Sequence, residues 1–288
     1  MNARLLFVHA LSPLHAGVGQ GVGVIDLPIA REKATGLPYL PGSSFKGTLR
    51  DACMDDTVRK KVFGPDTDNA SEYAASVHFS DQRLLLLPIR SLAGTFAWIT
   101  SPYLLRRLLR DAQDAFVTGL PSNIPSPSDD QCMVSDAGCQ ISHGNQVILE
   151  DLDLTVALQS DARAWAEWLG NQLFTSDTGW QQMLLARFGV VHDDVFGFLL
   201  DTATEITARI KLAEDTKTVK KGGLWYEEAL PTETILSGLV VTMPVAKVGI
   251  SVNQVFQTLE GLMNKPLQFG GKATVGRGLC RLGMTAGS

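Results

Sequence analysis

A glycine-rich loop near the amino terminus constrains the fold more than any other stretch of the chain. Residues 4–11, RLLFVHAL, have the apolar content of a buried strand, and glycine then occupies every second position, at Gly17, Gly19, Gly21 and Gly23. Glycines let backbone N–H groups approach phosphate oxygens. A dinucleotide-binding fold needs G-x-G-x-x-G before a helix, but this loop leads into the extended segment 25–31. Two interpretations remain: a structural loop, or a loop that approaches another phosphate chain such as RNA.

Strands and helices are interspersed along the chain without regular βαβ alternation, which favours the α+β class. One helix is predicted at about 44–56, and Ser43 or Ser44 can cap its amino end. Its predicted buried face extends to Met54. The other predicted elements are a strand-rich region at 76–100, helices at 102–112, 161–174, 179–188 and about 249–264, and strands at 146–158, 204–213 and 233–245.

The charge of the chain is unevenly distributed. Its 288 residues include 25 Lys and Arg against 30 Asp and Glu, a formal charge of -5 that excludes a uniformly basic, RNA-coated protein. Residues 111–162 carry nine of the acidic residues and no Lys or Arg, which leaves 25 basic against 21 acidic residues elsewhere. We expect the acidic segment to face solvent, a partner subunit or cations of another copy, and a basic groove remains possible.

The four cysteines predict no disulfide framework. They are not spaced as CxxC, so free buried thiols are expected, with a metal site formed by Cys132, Cys139 and His143 as the alternative. No window approaches the ~18 apolar residues of a membrane helix. The apolar start of the chain is interpreted as a first strand instead of a signal peptide, so we expect a cytoplasmic protein without membrane contact.

A second glycine cluster lies near the carboxyl terminus. Residues 269–278, FGGKATVGRG, interleave four glycines with Lys272, Thr274 and Arg277, and contain no carboxylate. Close backbone approach, a hydroxyl and two cations suit phosphate contacts that position RNA without reading its sequence. A β-turn with solvated basic residues is the alternative.

Four segments together resemble a known family. They are the first glycine loop, D-x-P-I-A-R at 26–31, G-L-P-Y-L-P-G-S-S-F-K-G-T-L-R at 36–50, and F-G-G-K-x-x-x-G-R-G at 269–278. The chain resembles the RAMP superfamily of CRISPR proteins, and most of all the repeated backbone subunit of the type III-B (Cmr) effector complex. The segment T-x-x-x-G-x-L-W-Y-E-E-x-L-P at 218–231 is similar to the part specific to this subunit.

This resemblance implies a fold and an assembly. The implied fold is α+β, an RRM-like (ferredoxin-like) palm spanning 1–288 as a single RAMP domain. It carries a helical and loop insertion at about 110–200 and a thumb-like β-hairpin insertion at about 212–232. Copies would stack head to tail along a CRISPR guide RNA with other Cmr subunits and cleave complementary target RNA with Mg²⁺ or Mn²⁺.

The resemblance and the residue types together assign candidate roles. Asp26 is the candidate catalytic and metal-binding carboxylate, with His15 as a general acid/base and Glu227 as a group that reaches a neighbouring active site. The candidate RNA-binding residues are Gly17, Gly19, Arg31, Ser43, Ser44, Lys46, Arg50, Lys217, Lys220, Trp225, Gly270, Gly271, Lys272, Thr274, Gly276 and Arg277.

Each candidate has a structural alternative. Asp26 suits a turn aspartate, His15 a packing histidine, and Glu227 a solvated hairpin edge. Residues 217–221 are interpreted as a basic hairpin tip that opens a duplex, or as a charged edge that prevents sheet aggregation. Two other functions stay open: a non-catalytic RNA scaffold, and an endoribonuclease of the same superfamily that processes CRISPR RNA.

Overall fold

The structure is a computed structural model that describes residues 2–21, 23–66, 68, 72–136, 138–216, 218–243, 245 and 248–286. Its helices are α1 (Gly42–Ala52), α2 (Asp56–Phe63), α3 (Pro102–Asp114), α4 (Ser160–Leu173), α5 (Thr178–Arg187), α6 (Asp193–Ala203) and α7 (Val252–Met263). Its first strands are β1 (Asn2–Ala10), β2 (Tyr39–Leu40), β3 (Val77–Phe79), β4 (Gln82–Arg90), β5 (Phe96–Thr100), β6 (Gln131–Val134), β7 (Ser142–His143) and β8 (Gln146–Leu149). The remaining strands are β9 (Leu152–Leu158), β10 (Phe188–Val191), β11 (Glu205–Leu212), β12 (Val219–Ala229), β13 (Ile235–Thr242), β14 (Leu267–Gln268) and β15 (Leu279–Met284).

One large mixed sheet organises the fold. Its strand order is β14-β15-β1-β13-β4-β5-β10-β6-β9-β8-β7, with β2 and β3 paired to β4 and β13. β1 runs antiparallel to both β13 and β15, whereas the β5–β10 and β6–β9 pairs are parallel. β11 and β12 form a separate two-stranded hairpin. The predicted α+β class is confirmed.

The first strand is buried on both faces, as its continuous apolar run predicts. Successive side chains of a strand point to opposite faces. Leu6 and Val8 therefore belong to one hydrophobic cluster, together with α1 and α7, while Leu5 and Phe7 belong to the other, together with α3 and α4. Because helices cover both faces of the central strands, the loops at their ends are the parts left accessible for binding.

The helix predicted at about 44–56 ends earlier and is capped differently. α1 begins after Pro41, which makes no side-chain cap, and the Asp81 carboxylate accepts the Gly42 N–H at 2.8 Å. Asp55 then caps α2, so the chain turns before Met54, which is 89% exposed instead of buried. The serine caps and the last part of the apolar face were therefore wrong.

The region predicted as a helical and loop insertion also supplies five strands. Residues 110–200 contain β6 to β10, all within the main sheet. The strand predicted at 146–158 is divided into β8 and β9 by a turn at Glu150, whose φ is 51°. Strands of two to four residues are too short to show a period of two in the sequence, which is why they were missed.

The hairpin is longer than predicted and its tip lies elsewhere. β11 ends at Leu212 and β12 begins at Val219, so Lys220 lies on a strand and not at the tip. Lys217 lies outside the described residues. The glycine pair at 222–223 lies within β12, opposite a register shift between Ile210 and Leu212.

The acidic segment is partly neutralised within the fold. Asp111 is buried and its carboxylate lies 2.9 Å from Arg83, so it does not face solvent or a partner as expected. The cysteines are free and buried, as predicted. Among the described residues, no three His, Cys, Asp or Glu side chains form a metal cluster, and no helix could span a membrane.

Candidate nucleic-acid interface

The first glycine loop folds back on the segment that carries Asp26. Ile29 forms a β-bridge with Gly17, Ala30 N–H donates to Ala16 at 2.8 Å, and Gly21 N–H donates to the Asp26 carbonyl at 2.8 Å. This two-stranded ribbon explains why the sequence of 25–31 has the extended pattern of a strand. Asp26 lies at the end of this ribbon where the chain connects its two segments.

Asp26 is held against β12 but remains exposed. Its Oδ2 accepts the Tyr226 N–H at 2.8 Å. Leu27 N–H donates to Tyr226, and Glu228 N–H donates to Leu27, both at 3.0 Å. Among the described residues no hydrogen bond reaches Asp26 Oδ1. One carboxylate oxygen is therefore held by the backbone of β12, and the residue as a whole is exposed.

His15 is buried beside the same strand. Its Nδ1 lies 2.6 Å from the Glu228 carbonyl oxygen, which can only accept a hydrogen bond. Nδ1 therefore carries the proton, and in the neutral ring Nε2 holds the lone pair. A Cβ at Gly17 would lie 2.5 Å from Nε2, so glycine at this position keeps the space around that nitrogen open.

The carboxyl-terminal glycine loop closes over His15. Gly271 N–H donates to the His15 carbonyl at 2.9 Å. Gly270 has φ 70°, and a Cβ there would lie 2.3 Å from the same carbonyl oxygen. The two glycine clusters, some 250 residues apart in the chain, thus meet at His15 because β1 and β15 are neighbouring strands.

Glu227 is enclosed within its own chain, contrary to the expectation that it reaches a neighbouring active site. It is 2% exposed, 2.7 Å from Lys272 Nζ and 3.3 Å from Arg209 Nε. The Trp225 indole N–H also donates to it at 2.8 Å. Burial alone would raise the pKa of Glu227, but the hydrogen bonds from Lys272 and Trp225 and the charges of Lys272 and Arg209 lower it to about 2. The side chain stays ionised at neutral pH and joins the hairpin to the glycine loop.

Several predicted phosphate ligands are occupied by protein groups. Arg277 is 6% exposed and donates to Thr207 on β11 at 3.0 Å, with Glu205 3.9 Å away. Arg50 donates to the Gly64 carbonyl at 2.7 Å and pairs with Asp66 at 2.7 Å. Their phosphate roles were predicted from residue type, local context and the family resemblance, none of which reveals partners that are distant in sequence.

Arg31 is also engaged, and its partner was not predicted. Its Nη2 lies 2.6 Å from the carboxylate of buried Glu228, and its Nη1 donates to the Gly36 carbonyl at 2.9 Å. The adjacent pair Glu227-Glu228 in a predicted strand was the available signal. A strand points neighbouring side chains to opposite faces, so two acidic neighbours cannot share one solvated face.

Other predicted ligands remain accessible around the loops. Helix α1 packs under the second glycine cluster through stacked rings of Phe45 and Phe269, with centroids 4.9 Å apart. The pKa of Lys46 is lowered, mainly by burial and to a smaller extent by the positive charge of Arg50. Within the described part of the chain, no carboxylate forms a salt bridge with Lys46. The candidates that remain exposed, or keep part of their side chain exposed, are Gly17, Gly19, Ser43, Ser44, Lys46, Lys220, Trp225, Gly270, Gly271, Lys272, Thr274 and Gly276.

This arrangement supports an RNA-binding surface better than a resident metal site. Asp26 is a lone exposed carboxylate, because Glu227 and Glu228 are already paired with cations. Mg²⁺ prefers several oxygen ligands in octahedral geometry. The described side chains do not supply that set, so they do not fit a cation bound by protein alone.

Comparison with known proteins identifies the class. The RAMP superfamily profile matches residues 7–281, so the chain belongs to this superfamily. It is 35% identical over 293 residues to the CRISPR system Cmr endoribonuclease Cmr4 of Pyrococcus furiosus, covering 98% of this chain and 95% of that protein.

Solved structures agree with this assignment. The crystal structure of oligomeric Cmr4 from Pyrococcus furiosus matches with a TM-score of 0.77 and 27% identity over the full length of both chains. A chain of the type III-B Cmr-beta complex bound to cognate target RNA shares the fold, with a TM-score of 0.76 at 21% identity, covering 99% of this chain and 97% of that one. The predicted resemblance to the backbone subunit of the type III-B complex is confirmed.

Proposed function

We propose that this chain is a guide-RNA-binding backbone subunit of a type III-B CRISPR complex and cleaves complementary target RNA within the assembled complex. The observation that carries the proposal is the attachment of an exposed Asp26 and of His15 to the same strand. Both are held by one short stretch of β12, between Tyr226 and Glu228, beside two glycine-lined loops. The name endoribonuclease of a 35% identical relative supports the same reaction class.

The proposed reaction is an attack by a ribose 2′-OH on the adjacent phosphate. Asp26 Oδ1 accepts the 2′-OH proton, the 2′ oxygen forms a bond to phosphorus, and the bond to the 5′ oxygen breaks. The imidazolium form of His15 donates its Nε2 proton to that leaving oxygen. The products are a 2′,3′-cyclic phosphate and a 5′-OH, so no water or redox partner is consumed.

The RNA path runs over the glycine loops in this proposal. Open backbone at Gly19 and Gly276, the Thr274 hydroxyl and the ammonium of Lys46 supply phosphate contacts that are independent of sequence. Lys272 retains a side chain about one-third exposed beside Glu227. Such contacts suit a subunit that must accept any guide.

A divalent cation, Mg²⁺ or Mn²⁺, belongs to this proposal only for the RNA-bound complex. Asp26 would supply one carboxylate ligand, and RNA phosphates would have to complete the ligand set. No step above depends on the ion. Cleavage measured across a Mg²⁺ titration, with EDTA as the reference, tests the requirement.

We also propose the finer architecture that the resemblance implies. The main sheet and its helices correspond to an RRM-like palm within a single RAMP domain over 1–288, with the insertion at about 110–200. The β11–β12 hairpin corresponds to the thumb, and copies stack head to tail along the guide with other Cmr subunits. The oligomeric crystal structure of a relative supports this arrangement.

The decisive experiment replaces Asp26 in the reconstituted complex. Asp26→Asn should leave assembly with guide RNA intact and abolish the regular ladder of fragments from labelled target RNA. Asp151→Asn is the matched control, because Asp151 is an exposed carboxylate in the acidic segment. An undiminished ladder from the Asp26 variant would refute the catalytic assignment.

The same assay separates the alternatives. A non-catalytic scaffold predicts no ladder that depends on this chain, whereas a processing endoribonuclease predicts cleavage of repeat RNA by the isolated chain without metal. The exposed Asp26 carboxylate favours target cleavage over the scaffold.

A further inference from the structure

Glu228 binds the amino-terminal segment through both its backbone and its buried side chain. It is 2% exposed, and all its polar groups have partners. Its N–H donates to Leu27 at 3.0 Å and its carbonyl accepts from His15 at 2.6 Å. Its carboxylate accepts Ile29 N–H at 3.0 Å and pairs with Arg31 at 2.6 Å. Glu228 therefore binds four residues of the segment between His15 and Arg31.

These contacts lie beside the attachment points of the two candidate catalytic groups, His15 and Asp26. His15 donates a hydrogen bond to the Glu228 carbonyl, and Asp26 accepts one from the Tyr226 N–H, two residues earlier on the same strand. Backbone hydrogen bonds align Leu27 with β12. The Glu228 carboxylate holds the residues that follow, Ile29 and Arg31. A shift of that carboxylate would move the 26–31 segment relative to His15.

Burial makes this role specific to a carboxylate. Ile29 N–H is a buried donor, and a buried donor without an acceptor is destabilising. The guanidinium of Arg31 is only 28% exposed and needs a counter-charge. Glutamine can replace the acceptor but not the charge, and alanine replaces neither.

We propose that Glu228 is a positioning residue, which fixes the geometry of Asp26 relative to His15 without touching RNA. This inference rests on the proposed cleavage function. The Glu228 side chain should therefore affect the rate of turnover, kcat, and not the affinity of the complex for RNA. A displacement of about 1 Å at a reacting group costs about 10²-fold in rate.

The test compares reconstituted complexes in a target-RNA cleavage assay with kcat and KM measured separately. Glu228→Ala should lower kcat about 10²-fold with KM within about twofold of wild type, because positioning acts on the reacting groups. Glu228→Gln should recover part of the rate, since it restores the acceptor for Ile29. Glu214→Gln, an exposed glutamate near the hairpin tip, is the matched control and should behave as wild type.

The outcomes separate this inference from the proposed function. If the wild-type complex cleaves and Asp26→Asn does not, but Glu228→Ala keeps the wild-type kcat, the positioning role is refuted while the function stands. An equal loss for the alanine and glutamine variants that appears in KM instead of kcat also refutes it. If Glu228→Ala fails to fold, as judged by its melting curve, the comparison of Glu228→Gln with Glu214→Gln decides. A lower kcat for Glu228→Gln supports the positioning role, and equal kcat values refute it. Without any wild-type cleavage, the proposed function itself fails, and the inference fails with it.

Discussion

Replacement of Glu227 by glutamine tests whether the ion pairs between the hairpin and the glycine loop stabilise the fold. The shift of the Glu227 pKa from 4.5 to about 2 corresponds to about 3 kcal/mol of preference for the ionised form in the folded state. Glu227→Gln removes that charge and leaves Lys272 and Arg209 without their shared partner. We therefore expect the free energy of unfolding at pH 7 to fall by about 3 kcal/mol.

The pH dependence gives the same prediction an independent check. Because the folded pKa is depressed, the stabilisation is fully present above the unfolded value of 4.5 and is lost as pH falls through about 2. About 2 kcal/mol of it should be lost by pH 3. Urea unfolding of wild type and variant from pH 7 to pH 3 should show their difference shrinking. Glu214→Gln, with an exposed side chain, should stay within about 0.5 kcal/mol of wild type throughout.

Two results would refute this reasoning. One is a difference below about 0.5 kcal/mol at pH 7, the size expected of a surface substitution. The other is a difference that does not change between pH 7 and pH 3, which would assign the effect to packing and not to the charge of Glu227.

The remaining predictions concern the glycine loop and α1. Gly270→Ala should be less stable than Gly276→Ala by about 1–3 kcal/mol in thermal unfolding. Both positions have a positive φ, which costs about 1–2 kcal/mol in each variant, but only the Cβ at 270 meets the His15 carbonyl. Equal losses would contradict the close approach. Lys46→Ala should weaken guide-RNA binding and reduce the salt slope of log K by about 1, as measured by filter binding at several ionic strengths. An unchanged slope would remove Lys46 from the RNA path.

Local sequence patterns predicted the elements but not their long-range partners. The apolar run of β1 and the amphipathic spacing of α3 are properties of consecutive residues, so both were predictable. Arg277 is bound by Thr207 on β11, which is 70 positions away in the sequence. Arg31 is bound by Glu228, which is 197 positions away. A basic residue in a glycine loop has the same appearance in the sequence whether phosphate or carboxylate binds it.

The candidate site shows the same division. Asp26 and His15 were proposed from the loop that contains them and from the family resemblance, whereas the contacts of Glu228 were not predicted because they join it to residues distant in sequence. Conversely, Glu227 was placed at an active site because it is a glutamate in a recognisable segment. Its burial between two cations follows from the packing of the hairpin against the second glycine loop.

The central position of β1 has a practical consequence for labelling. Residues near both described ends, Asn2 and Thr285, lie at one end of this strand pair, since Thr285 N–H bonds to Leu5. The glycine loops leave from the other end, beyond Ala10. Nine residues of strand separate the two by about 26 Å. A fluorophore attached at residue 2 would therefore report distances to the hairpin by energy transfer while leaving the proposed RNA path unobstructed.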